Sequence, residues 1–347
     1  MKCPMCGLEF KKSVKVYRKF YWKTKDKEIK VAYRERHSSK RYIQYLLFFL
    51  YWCTTMLEIA MCPPYYLSTS IPNNQWMVDL DEESRRIDTD IALKQFYDLY
   101  SILTQYAFVY LIPPKEGLQD QVYIVNAGIV LPHMDKTAII SKFRAEGRKG
   151  EEKVFQKFLE ELDFDCYQCP YYFEGEAELK WLHDNVFVGG YGIRSSKKAL
   201  EWIENNFDAK VIKLRETDPY LYHLDCWVLP ISNDYVLISS SIPVSVKEEI
   251  KKESEVIEVP YELNFQGITN SFRAGYTVFN ANNISAFTED KEALYWEKKK
   301  NEMLQEICSS LGLELYFVEL TEYLKSGALL SCIVSHITWD EIYLGKP

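Results

Sequence analysis

At 347 residues, 47% hydrophobic and 15% aromatic, the chain is too apolar for disorder and long enough to bury one large core or two ordinary ones. Its formal charge of −8 is uneven: residues 1–41 hold fourteen Lys/Arg against four Asp/Glu, which leaves −18 on the remainder. A body that acidic is a poor nucleic-acid binder, and the basic head reads as a solvated extension over residues 1–55.

Nine cysteines without a recognisable signal peptide point to a reducing, cytoplasmic setting in which they remain thiols. The apolar run 45–53 is about half of the roughly 20 residues a spanning helix needs, so no membrane segment is expected. Cys3 and Cys6 with Gly7 resemble half of a zinc knuckle. The other candidate ligands, His37, Cys53, Cys166 and Cys169, are scattered, and no metal is expected.

From Met56 the pattern alternates between strands and helices. Strands are expected over 57–61, 107–112, 123–125, 138–141, 186–188, 211–214, 226–229, 236–238, 315–318 and 329–334. Helices are expected over 91–103, 151–162, 196–206, 246–253 and 292–311. Pro63 and Pro64 stop the first strand. Short strand-strand-helix-strand units without a Gly-rich phosphate loop predict an α/β or α+β catalytic domain over 56–347 and argue against a dinucleotide fold.

Three stretches carry polar residues that a core would not choose. Glu174 and Glu176 stand beside Phe173 just before an apolar strand. His223 and Asp225 flank Leu224, so in a strand both would project to one face. Cys332 follows a short helical turn, a Ser326-Gly327 break and an apolar run, at the expected start of a buried strand. A cysteine, a histidine and carboxylates without a metal motif suggest covalent catalysis on a cation. The carboxylates would hold it, the thiolate would attack and the imidazole would move protons.

The residues from about 56 onward resemble the guanidino-group-modifying enzymes of the pentein fold: arginine deiminases, dimethylarginine dimethylaminohydrolases and amidinotransferases. Seven blocks carry the likeness in order: Met61 to Pro64 with Asn74 to Met77, Asn126 to Val130, Phe143 to Glu151, Phe173-Glu174-Gly175, Gly190 to Ser195, Asp218 to Asp225, and Leu320 to Cys332. The resemblance implies five ββαβ units around a pseudo-fivefold axis, with the site in the central channel and no cofactor. It implies that Cys332 is the nucleophile, that His223 is the proton shuttle, that Glu174 and Asp225 hold the guanidinium, and that Arg194 with Arg144 clamps a substrate carboxylate.

Asn126 stands where deiminases carry an aspartate, as in dihydrolase-like relatives, and Glu174-Gly-Glu-Ala-Glu178 replaces the usual Glu-Gly-x-Gly-Asp turn. The expected activity is hydrolysis of C–N bonds in arginine-type guanidino compounds, with a small guanidino molecule as partner and a homo-oligomer left open. An amidinotransferase, in which an amine resolves the adduct, and a non-catalytic pentein binding module are the alternatives.

Overall fold

The computed structural model describes residues 56–344 and, ahead of them, two strands, Arg18–Lys23 and Glu28–Tyr33, paired antiparallel. Met1–Met56 and Leu57–Pro347 are separate compact units. Cys3, Cys6, His37, Cys53 and the 45–53 run lie outside the described residues. Among the described residues no helix is long and apolar enough to cross a membrane.

The second unit holds five three-stranded sheets of one plan among the described residues. A short inner strand pairs antiparallel with a middle strand; a helix then returns the chain to an outer strand parallel to the middle one. Parallel neighbours need such a crossover. Gly128–Val130, Thr137–Ile140 and Asp165–Gln168 with helix Glu151–Glu161 make one unit. Leu179–His183, Val186–Tyr191 and Lys210–Arg215 with helix Lys197–Asn206 make the next. Val228–Pro230, Tyr235–Ser239 and Glu255–Val259 follow with helix Val244–Ile250. Phe272–Ala274, Thr277–Ala281 and Glu314–Val318 follow with Lys291–Leu311.

The fifth unit is assembled from both ends of the domain. Its middle and outer strands, Leu57–Met61 and Ala107–Leu111, flank helix Thr89–Leu103, while its inner strand is Ser335–His336, with Ser335 opposite Ala60. This is the pentein arrangement of five units about a pseudo-fivefold axis.

The middle strands are apolar runs buried on both faces, and each helix lays one apolar stripe over its sheet. Asp88 caps helix Thr89–Leu103 by accepting from the Asp90 and Ile91 amides at 3.1 Å, and Ala92, Phe96, Leu99 and Leu103 pack with Ile59 and Met61. Phe96 is fully buried there. Phe96→Ala is therefore expected to cost about 3–5 kcal/mol of stability, read from the denaturant midpoint at an unchanged slope.

Three expected strands are corrected. Residues 123–125 run into the 3-10 turn Ile124–Ala127, with the strand starting only at Gly128. Residues 224–226 are also a 3-10 turn, Leu224–Cys226, because the Leu224 amide is given to the Glu178 carboxylate at 3.2 Å rather than to a ladder. Residues 330–333 form a one-turn helix before the two-residue strand Ser335–His336. All three are short, largely buried stretches whose periodicity cannot tell a turn from a strand.

Candidate active site

Cys332 sits on that one-turn helix, Leu330–Ile333, which is tied to two other units. The Ser331 amide donates to Asn270 Oδ1 at 3.0 Å, and its hydroxyl donates to Asp225 Oδ2 at 2.6 Å. The thiol, 7% exposed, accepts from Asn270 Nδ2 at 3.5 Å and points its S–H at Asp225 Oδ2, 3.8 Å away. Asp225 thus stands behind the nucleophile candidate and anchors its helix.

His223 is the extended residue that caps the Leu224–Cys226 turn, and its Nε2–H donates to Glu174 Oε2 at 2.8 Å. Glu174 is wholly buried and also receives Arg194 Nη1 at 3.2 Å, with Arg148 Nη1 at 4.0 Å. Gly175 makes this turn possible. Its φ is +63°, and a Cβ there would lie 2.5 Å from the Val125 carbonyl oxygen.

Cys332 and His223, 109 positions apart along the chain, share the wall of one cavity with about 290 Å³ of empty space. Asn126, Arg194, Arg148 and Asp120 are part of its polar lining, with Asn73, Asn74 and Ser326. Two buried atoms in that wall have no partner among the described residues, Asp120 Oδ1 and Asn126 Nδ2. One is an acceptor and the other a donor, and a buried polar atom left so is costly unless a ligand meets it.

The expected pair of arginines is only half present. Arg144 is exposed and outside this cavity; its Nε donates to the Arg194 carbonyl at 3.2 Å and its guanidinium lies over the Tyr172 ring. Four residues on, Arg148 occupies the wall instead, oriented by Glu151 at 2.7 Å. Arg194 is in the wall, but it is engaged with Glu174 and with the Asn73 carbonyl at 2.6 Å. Asp120, Arg148 and Asn73 are among the wall residues that the sequence reading did not single out, with Asn74, Tyr123, Tyr222, Ser326 and Ala328. Arg148 lay inside a quoted block; Asp120 carried no signal at all.

No family model matches the chain. It is 28% identical over 293 residues to the bifunctional arginine dihydrolase/ornithine cyclodeaminase AgrE of Nostoc, a match covering 82% of this chain and 38% of that protein's length. It is 27% identical over 179 residues to the dimethylarginine dimethylaminohydrolase of Mycobacterium tuberculosis, covering 51% of this chain and 56% of that one. The solved N-terminal domain of ArgZ, an Asn-to-Ser variant covalently bonded to a reaction intermediate, superposes with a TM-score of 0.70 at 25% identity, over 81% of this chain and 98% of that domain. The chain is a homologue of these guanidino-modifying enzymes and shares their pentein fold.

The electrostatics of this pentein set its resting state. Burial pushes the Cys332 thiol up to about 12, with the Asp225 charge adding to it and the hydrogen bonds from the Leu329 amide and Asn270 opposing. The thiol is therefore protonated when the cavity is empty. Glu174 goes the other way: burial alone would raise it, but Arg194, His223 and Arg148 together hold it below the usual carboxylate range. It remains an acceptor for the imidazole N–H. Asp120 is raised by burial, partly offset by Arg148, Gln119 and Asn73.

Proposed function

We propose that this chain is a cysteine-dependent amidino hydrolase that cleaves C–N bonds of arginine-type guanidino compounds through a covalent intermediate on Cys332. The observation that carries this reading is the shared wall: thiol and imidazole on one small cavity, with Glu174 orienting the imidazole and two buried polar atoms of the lining residues Asp120 and Asn126 left without a partner among the described residues. The likeness to AgrE and ArgZ supports it.

A guanidinium entering this cavity brings positive charge toward Asp225 and Glu174. That charge offsets the carboxylate that keeps the thiol protonated, so the substrate itself promotes the thiolate. The thiol gives its proton to His223 as the sulfur adds to the guanidinium carbon, and a tetrahedral adduct forms. Its C–N bond breaks as His223 gives a proton to the departing nitrogen, leaving a planar amidino-thioether on sulfur. Water then loses a proton to His223 and adds to the same carbon. The C–S bond breaks, releasing a ureido product and returning the thiol.

Asn126 makes two successive hydrolyses the favoured outcome. Its free Nδ2 donor suits the ureido oxygen created by the first cycle, which an aspartate would repel. Asp120 Oδ1 is the natural acceptor for a substrate α-ammonium, with Arg148 and Arg194 the nearby cations for a carboxylate.

The test is intact-protein mass spectrometry after acid quenching with a panel of guanidines. An amidino increment confined to Cys332 is the expected result, and no increment with any guanidine that is turned over overturns the mechanism. Product analysis with glycine or lysine present tests the rival: amidino transfer to the amine would make this an amidinotransferase. Asp120→Asn is expected to lower kcat/KM for arginine about 10–100-fold, yet to leave guanidinovalerate, which lacks the α-amine, near the wild-type value. Equal losses on both substrates would remove Asp120 from amine recognition.

A further inference from the structure

The inner strands run between two cavities. In four of the five units the residue ahead of the inner strand belongs to the thiol end. Glu174 precedes Leu179–His183, His223 precedes Val228–Pro230, Asn270 precedes Phe272–Ala274, and Cys332 precedes Ser335–His336. Residues within the same strands, Lys180, Leu229, Arg273 and His336 among them, line a second cavity with about 570 Å³ of empty space, part of it open to solvent. Ser331 is in the wall of this one and Cys332, the next residue, is in the wall of the first. The two cavities share no lining residue, and Ser331, hydrogen-bonded to Asn270 and Asp225, stands next in the chain to Cys332.

The charges of the second cavity do not balance within it. Its carboxylate, Glu176, is already taken: it accepts from the His336 amide at 3.0 Å and meets His336 Nδ1 at 2.7 Å. Arg273 donates to the Asp340 carbonyl at 2.9 Å and lies 3.3 Å from its carboxylate. Lys180 is half-buried, and its ammonium makes no hydrogen bond or ion pair with any described residue; its charge acts on Glu176 and on Cys332 only from beyond ion-pair distance. The same wall carries the aromatic side chains Trp181, Phe272 and Trp339 beside the neutral polar residues Ser232, Asn233 and Ser271; Trp339 stacks on His336 at 4.0 Å between centroids.

A cation without a counter-ion in contact, beside an aromatic wall, suits an anion that carries an apolar body. No carboxylate in the wall is free for an ammonium group, which disfavours amino acids and amines. We propose that this second cavity is a binding site for a small organic carboxylate, its anionic end on Lys180 and its apolar body against Trp181, Phe272 and Trp339. The site stands apart from the thiol cavity and does not rest on the hydrolase reading.

Saturation-transfer NMR titrations of the full chain with benzoate test it, with benzamide as the neutral isostere. Benzoate is expected to bind saturably and benzamide about tenfold more weakly. Lys180→Ala is expected to weaken benzoate by about tenfold, Lys180→Arg to retain it, and prior alkylation of Cys332, which fills the first cavity, to leave it unchanged. The proposal is overturned if benzoate and benzamide bind alike, if Lys180→Ala binds as the wild type does, if alkylation of Cys332 abolishes binding, or if no saturable binding occurs. The benzoate–benzamide comparison on the unmutated chain keeps the test decisive should Lys180→Ala fold poorly.

Discussion

Cys332→Ser is expected to reduce turnover by more than about 10⁴-fold while the circular dichroism spectrum and denaturation midpoint stay near those of the wild type. A serine hydroxyl at this position can still donate to Asp225 and accept from Asn270, so the helix that carries it keeps its anchors. What it cannot do is present an anionic nucleophile near neutral pH, because a hydroxyl holds its proton far more tightly than a thiol does. The informative competitor is Cys226, whose thiol lies 3.6 Å from Asp225 Oδ1 on the other side of the same carboxylate. Only Cys332 of the two lines the cavity. A Cys332→Ser protein that still accumulated a guanidine-derived mass would move the nucleophile to Cys226 and dismantle the assignment.

The parts of this fold that periodicity reveals are its outer layers. Helices Thr89–Leu103 and Lys291–Leu311 lie within two residues of their expected limits, because a long amphipathic stripe opposite polar residues has few other solutions. The inner strands were mostly invisible: Ser335–His336 has two residues, and its partner Ala60 lies 275 positions earlier, a pairing no local pattern encodes. The site shares that obscurity since it is built from one-turn helices and 3-10 turns held by side chains. Glu178 fixing the Leu224 amide is a tertiary contact, so alternation around Leu224 suggested a strand where a turn exists. Composition could not choose between Arg144 and Arg148 either. The choice follows from Glu151, three residues beyond Arg148, turning that guanidinium inward while Arg144 is left on Tyr172. The cysteine, the histidine and Glu174 were legible mainly through the ordered blocks of the superfamily, and Asp120, outside every block, was not.

Asp225→Asn is expected to move two rates in opposite directions. With the thiol pushed up to about 12, Cys332 of the free chain is almost wholly protonated at pH 8. Burial is the larger cause and survives the substitution, so the thiol stays above its ordinary value. The carboxylate charge is the second cause, and removing it lowers the pKa, which raises the reactive fraction at any fixed pH below it. Alkylation of Cys332 by iodoacetamide should therefore quicken, by about tenfold for each pH unit that the pKa falls. Turnover should fall by about 10³-fold, because the neutral amide no longer draws a guanidinium toward the sulfur and Ser331 loses its charged acceptor. If Asp225 served only to brace the Leu330–Ile333 helix, the substitution would lower stability and leave the pH profile of alkylation where it was. An alkylation profile shifted toward acid, in a protein of near-native stability whose catalysis has nearly vanished, separates electrostatic tuning of the thiol from simple support of its backbone.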